Sequence, residues 1–302
     1  MNTDIANNPD AIREAVRETY GKIARNEQTG CCGAPAACCG SDRPSATAAA
    51  TLGYNAEQIA ALPEGADLGL GCGNPQAIAG LKAGETVLDL GSGAGFDCFL
   101  AARAVGPAGQ VLGVDMTPDM LAKARENAHK AGAANVEFRL GEIEALPVAD
   151  GIVDVIISNC VINLSPNKPR VFREALRVLK PGGRLAVADI VRTAEIPPDL
   201  TNDLAALCGC VAGAATVDEI ETMLREAGFA EINVRPKEAS REFIRSWVPG
   251  RNASDYVVSS TIEAVKPGKL SPNPPPSGGR LLITTAAQGI PLARSNPSAE
   301  PS

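Results

Sequence analysis

Nine cysteines stand against a single histidine in this 302-residue chain. Three thiols sit in settings that leave sulfur accessible. Cys72 lies between glycines in Leu68-Gly69-Leu70-Gly71-Cys72-Gly73. Cys160 follows a β-branched run, in Ser158-Asn159-Cys160-Val161-Ile162-Asn163-Leu164, and a strand end in an open α/β sheet faces the ligand crevice. Cys210 lies in Gly209-Cys210-Val211-Ala212-Gly213-Ala214, where small neighbours leave room beside the sulfur. Three such thiols without histidine suit a soft, thiophilic ligand. Cys31-Cys32 and Cys38-Cys39 form two vicinal pairs. Zinc centres favour C-x2-C spacing, often with histidine, and the pairs have neither feature, which argues against structural zinc. Cys98, among Phe99, Leu100 and Ala101, reads as core packing. His129 has charged neighbours and reads as a solvated surface residue.

A second group could hold a nucleoside-like ligand. Val87-Leu88-Asp89-Leu90 runs into Gly91-Ser92-Gly93-Ala94-Gly95-Phe96 and then a helical pattern. Glycines permit a sharp turn and close approach of a ligand to bare main chain, and the helix N-terminus presents unpaired N–H groups. The dinucleotide fingerprint is G-x-G-x-x-G. Here the third glycine comes one position early and Phe96 fills the place that the fingerprint gives to glycine, so the loop fits adenosine without a pyrophosphate. Gln110 to Asp115 reads as a second strand ending in an acid, about 20 residues on, where a carboxylate takes ribose hydroxyls. Together, the glycine loop and strand-end acid resemble the S-adenosylmethionine site of class I methyltransferases.

The elements that must position these groups alternate. Strands are expected at Thr86–Leu90, Gln110–Asp115, Asn135–Leu140, Val153–Ser158 and Arg184–Val191. Helices are expected at Asp10–Arg25, from Pro118 to Ala131 with Thr117 as cap, at Lys168–Leu179 up to Pro181-Gly182-Gly183, and at Val217–Ala227 up to Gly228. Such alternation argues for an α/β fold with a doubly wound, mostly parallel Rossmann-like sheet. Asn55-Ala56-Glu57-Gln58 reads as a capping box and Asn74 as the cap of a short helix. Asn26–Tyr54 reads as a mobile loop, Pro197–Ala215 as mostly helical, and Phe229–Val234 and Tyr256–Val265 as closing strands. The domain reading is 1–65, an N-terminal helix and cysteine-rich loop; 66–195, the Rossmann-like domain; 196–266, a helical cover and closing strands; and 267–302, a disordered tail rich in Pro, Gly and Ser.

Composition narrows the function classes. A net charge of −7 and no basic stripe disfavour nucleic acid. No apolar run reaches the ~20 residues of a membrane span, and no apolar leader is visible, so a cytoplasmic location without a membrane partner is expected. In that compartment the cysteines are expected as thiols.

The run Leu68 to Asp97, with Gly113-Val114-Asp115-Met116-Thr117-Pro118, Ser158 to Leu164 and Gly209 to Ala214, closely resembles bacterial arsenite S-adenosylmethionine methyltransferases. The resemblance runs from about Ala11 to about Pro267. It implies that Cys160 and Cys210 bind trivalent arsenic and that Cys72 takes part in binding or redox cycling. A further N-terminal cysteine completes the family set, with Cys31, Cys32, Cys38 and Cys39 as redox candidates. Cys208 is not required by the motif. Of the cofactor residues, Asp89, Gly91 and Gly93 would line the glycine loop and methionine end. Asp115 would take the ribose, and Met116, Glu142 and Ile143 would border the adenine. The resemblance further implies S-adenosylmethionine as methyl donor, no metal cofactor, arsenic delivered as a glutathione-type thiol complex, glutathione or thioredoxin as reductant, and a monomer. Methyl transfer to arsenic needs no proton removed from the nucleophile, so no general-base histidine is expected. It should need thiols of lowered pKa, because the thiolate is the ligand form. Two other readings fit parts of the chain: a methyltransferase for a quinone or sterol-like molecule, and a non-catalytic thiol trap for soft metals.

Overall fold

The computed structural model describes residues 8–27, 45–201, 203–245, 247–248 and 251–268. Its helices are α1 (Pro9–Ala24), α2 (Ser45–Thr51), α3 (Ala56–Ala60), α4 (Gln76–Ala79), α5 (Phe96–Val105), α6 (Pro118–Ala131), α7 (Lys168–Val178), α8 (Pro198–Thr201), α9 (Leu204–Cys208), α10 (Val217–Ala227) and α11 (Arg241–Ile244). Its strands are β1 (Thr86–Leu90), β2 (Gln110–Asp115), β3 (Val136–Leu140), β4 (Val153–Asn159), β5 (Leu179–Arg192), β6 (Ala230–Lys237) and β7 (Val257–Val265).

The seven strands form one sheet in the order β3-β2-β1-β4-β5-β7-β6. The first five pair in parallel, and β7 pairs antiparallel with both β5 and β6. Strands covered on both faces by helices must be apolar throughout. Accordingly Val87, Leu88, Val155, Ile156 and Ile157 are fully buried. Strand order reverses between β1 and β4, and a crevice opens beyond the carboxyl ends of strands at such a point. The residues following β1, β2, β4 and β5 therefore meet at one edge.

Local chemistry sets the helix ends. Thr216 and Glu219 form a reciprocal capping box that starts α10, and Gly228, at φ 106°, ends it. Asn55 and Gln58 do the same at α3, and the Asn74 carboxamide accepts from the Ala77 N–H at α4. Thr117 stands at the start of α6, but its side chain makes no capping bond; its N–H donates instead to Asp115.

Three expectations change. Ser45–Thr51 is helical rather than loop: its alanines favour helix, and Ala49 is buried with Tyr54 and Leu100. Among its described residues, Pro197–Ala215 holds two single-turn helices, because the chain leaves α9 at Gly209 and Cys210 takes φ 63°. Helix α7 stops at Val178, and Pro181-Gly182-Gly183 lies within the β5 run, where Gly182 and Gly183 bond the backbone of Lys266. The vicinal pairs Cys31-Cys32 and Cys38-Cys39 and the tail beyond Gly268 lie outside the described residues.

Candidate functional site

A cavity of about 850 Å³ occupies the crevice. One side is the glycine loop. Gly91, Gly93 and Gly95 all take positive φ (71°, 51° and 95°), a region costly to other residues. Asp115, at the end of β2, accepts from the Gly93 N–H at 2.9 Å and the Thr117 N–H at 2.8 Å. These bonds aim its carboxylate and leave acceptor capacity for a ligand. Met116, Gly141, Ile143 and Glu144 also line the cavity. Glu142 turns instead to Arg13 at 3.3 Å and Arg17 at 3.7 Å.

Asp89 is buried at the cavity, and burial, reinforced by neighbouring Asp97, holds its pKa well above the usual carboxylate range. The Cys98 thiol donates to it at 3.3 Å, so Cys98 packs in the core and also orients an acid. Asp97 accepts from the Tyr54 hydroxyl at 2.8 Å and the Asn159 amide at 3.3 Å. Burial disfavours the ionised forms of Asp89, Asp97 and Asp115, and a cationic guest in the cavity would favour them. Two lining residues carry buried atoms without partners, Ser92 Oγ and Asp67 Oδ2. Close-approach glycines, a strand-end carboxylate, spare polar atoms and acidic surroundings fit the adenosine and sulfonium of S-adenosylmethionine.

The other side is sulfur. Cys160 follows β4 and Cys210 follows α9, and both adopt left-handed backbone, φ 60° and 63°. Non-glycine residues held there cost about 1–3 kcal/mol each, a strain that concentrates at functional sites. The Cys72 and Cys160 sulfurs lie within 4.8 Å of each other. The Cys210 thiol donates to the Cys160 carbonyl at 3.0 Å. Cys72 is held by its N–H, which donates to the Asn159 carboxamide at 3.0 Å, and by its carbonyl, which accepts from the Ser259 hydroxyl at 2.7 Å. Gly213 lets the Cys210 segment close in, since a Cβ there would lie 2.2 Å from the Asn163 carbonyl oxygen.

Cys208 is separate: its thiol faces Thr19 Oγ1 at 3.5 Å and its carbonyl accepts from the Tyr20 hydroxyl. The lowered thiol pKa expected from sequence is not what burial produces. It pushes Cys72 up to about 11. Cys210 is pushed well up by its hydrogen bond to Cys160 and then by burial. For Cys160, the contact with Cys210 pulls down, but the contact with Cys72 and burial outweigh it. The thiols therefore stay protonated until a ligand takes them.

Sequence reasoning missed three contributors. Asp189, fully buried on β5, stands beside Cys72 and Cys160, and burial pushes its pKa up to about 6. Its signal was an acid within the otherwise apolar run from Leu185 to Val191. Helix α1 lines the cavity through Arg13, Val16 and Tyr20, though its apolar stripe announced only packing. Phe243 and Trp247 add an aromatic wall. His129 is exposed on α6.

A methyltransferase-domain model matches residues 81–228. Arsenite methyltransferase of Halobacterium salinarum is 56% identical over 268 residues, which cover 86% of this chain and 68% of that protein. The arsenite methyltransferase of Aquipseudomonas alcaligenes is 40% identical over 227 residues, covering 73% of this chain and 62% of that one. A crystal structure of an arsenic(III) S-adenosylmethionine methyltransferase from Chlamydomonas reinhardtii superposes with a TM-score of 0.55 at 33% identity, covering 76% of this chain and 75% of that one. This chain thus spans roughly two thirds of the length of these curated relatives. Fold and site define a class I S-adenosylmethionine-dependent methyltransferase. Within that class, the chain belongs to the arsenite methyltransferase family. Among the described residues, no helix is long and apolar enough to cross a membrane.

Proposed function

We propose that the protein transfers methyl groups from S-adenosylmethionine to trivalent arsenic held by Cys72, Cys160 and Cys210. The observation that carries this reading is the convergence of Cys72, Cys160 and Cys210 on the cavity that the glycine loop lines, with the Cys72 and Cys160 sulfurs within 4.8 Å of each other and the Cys210 thiol 3.0 Å from the Cys160 carbonyl oxygen. Protonated thiols suit the capture step. Arsenous acid exchanges its three hydroxyls for three sulfurs as the thiol protons leave with them as water. A glutathione-type complex exchanges likewise and releases three free thiols. No net charge is created in the buried site.

Arsenic bound by sulfur keeps a lone pair and is the nucleophile. When bound, S-adenosylmethionine supplies a methyl group on a cationic sulfur. The protein's part is positioning, which suits an in-line displacement. Asp115 would hold the ribose, while Gly91, Gly93 and Asp89 would seat the methionine end. Met116 and Ile143 would border the adenine, and Glu142 would act there through its pairing with Arg13. The strained turns at Cys160 and Cys210 would aim the lone pair. Helix α1 would exclude water.

On this reading Cys31, Cys32, Cys38 and Cys39 supply redox thiols, glutathione or thioredoxin regenerates them, and the monomer acts in the cytoplasm in arsenic detoxification. No resident metal cofactor is required. Reduced protein incubated with S-adenosylmethionine, arsenite and thiol should yield methylated arsenic on speciation. Cys160→Ser should abolish it with cofactor affinity retained by calorimetry. Full activity in Cys160→Ser would defeat the arsenic assignment.

A further inference from the structure

Cys72, Cys160 and Asp189 come from three separate stretches: the loop before α4, the residue after β4 and the carboxyl-terminal part of β5. One sulfur from each cysteine and one carboxylate oxygen of Asp189 all lie within 4.8 Å of one another. The methyl-transfer reading makes no use of that carboxylate. Trivalent arsenic takes three sulfurs and keeps a lone pair, so a fourth, anionic oxygen donor has no place in its shell. A divalent cation has no such lone pair. It prefers four donors, and a carboxylate answers its charge.

We propose that Cys72, Cys160 and Asp189 form a binding site for a thiophilic divalent cation of the zinc and cadmium class, with Cys210 as the fourth donor. Zinc bonds of roughly 2.3 Å to sulfur and 2.0–2.2 Å to oxygen need tetrahedral donors roughly 3.5–3.8 Å apart, a modest contraction of this cluster. Cys210 lines the same cavity, and its thiol lies 3.0 Å from the carbonyl oxygen of Cys160. The carboxylate is prearranged. It accepts from the Ile162 N–H at 2.9 Å, the Asn163 amide at 2.9 Å and the Ile190 N–H at 2.7 Å, and it is 1% exposed. Three bonds leave a carboxylate free to accept one more, and such outer partners orient metal ligands. Binding converts thiols to thiolates and releases one proton for each. No redox step is involved. The C-x2-C spacing of zinc sites is absent from the sequence because these donors are gathered by the sheet.

The site does not depend on the arsenic reading. Its consequence does: a bound cation would occupy the thiols that arsenic needs and inhibit methylation competitively.

The test uses the reduced full chain with Cys31, Cys32, Cys38 and Cys39 replaced by Ser, so that the vicinal pairs cannot capture the probe. Cadmium is titrated and followed by its ultraviolet sulfur-to-metal charge-transfer band, and the complex is examined by X-ray absorption at the cadmium edge. One equivalent with a mixed sulfur and oxygen shell is expected. In Asp189→Asn, cadmium affinity should fall at least about tenfold relative to arsenite affinity measured on the same variant. A purely structural role for Asp189 would weaken both ions alike. Absence of stoichiometric binding, an all-sulfur shell in the parent protein, or an unchanged affinity ratio would each overturn the proposal.

Discussion

Gly91 joins the cofactor loop to the thiol site, and replacing it with alanine tests that link. Its φ is 71°, and a Cβ there would lie 2.3 and 2.6 Å from the two Cγ atoms of Val161, the residue after Cys160. Left-handed backbone costs an alanine about 1–2 kcal/mol. Forcing a methyl into filled space costs a further ~1–3 kcal/mol. Gly91→Ala should therefore lose about 2–5 kcal/mol, which a domain stable by ~5–15 kcal/mol survives. Val161→Ala removes both clashing methyls and leaves the backbone strain in place. Val161 is partly buried, so the single change should cost about 1 kcal/mol. In the double variant the 2.3 and 2.6 Å contacts are gone and only the residue 161 Cβ, at 2.9 Å, stays close, so most of the clash is relieved and the two losses should fall short of their sum by about 1–3 kcal/mol. Urea unfolding of the parent, both singles and the double measures this. Arsenite methylation should recover in parallel, because displacement of Val161 drags Cys160. Strict additivity, to within ~0.5 kcal/mol, would refute the argument that steric contact at Val161 decides this position.

Asp115→Ala removes a carboxylate bond to the ribose worth ~1.5–3 kcal/mol, so calorimetry should show S-adenosylmethionine at least about tenfold weaker. Unchanged affinity would take Asp115 out of the site. Cys208→Ser should keep methylating whereas Cys210→Ser should not, because only the Cys210 thiol reaches Cys160; the opposite pattern in arsenic speciation would move the ligand by two residues. Asp189 sets a pH dependence. Its folded pKa, raised by burial to about 6 from the usual 3.8, means the native state keeps a proton that the unfolded chain has lost. Its contribution is favourable at low pH and is lost as pH rises through that window, by up to about 3 kcal/mol at ~1.4 kcal/mol per unit. Urea midpoints measured between pH 4 and 7 should show this slope flattened in Asp189→Asn; equal slopes would place the Asp189 pKa near its ordinary value.

The strands of the parallel core, the loop from Gly91 to Gly95 and the stop at Gly228 were all legible in the sequence. Each depends on neighbours in the chain: β-branched runs and a glycine where φ must be positive. The three thiols were legible as candidates for the same reason, from glycines beside Cys72 and small residues beside Cys210. Ser45–Thr51 was misread because its small residues carry little hydrophobic signal, although its alanines favour helix once Ala49 finds a core. What only the tertiary structure decided is who meets whom. The sheet order brings Cys72, Cys160 and Asp189 within 4.8 Å across more than a hundred residues of chain. It also turns Glu142 toward Arg13 and faces Cys208 toward Thr19 rather than toward the other thiols. The thiol pKa values moved opposite to expectation for the same reason. Ionisation depends on the solvent and charges around a sulfur, and here distant segments supply both the desolvation and the neighbouring thiols.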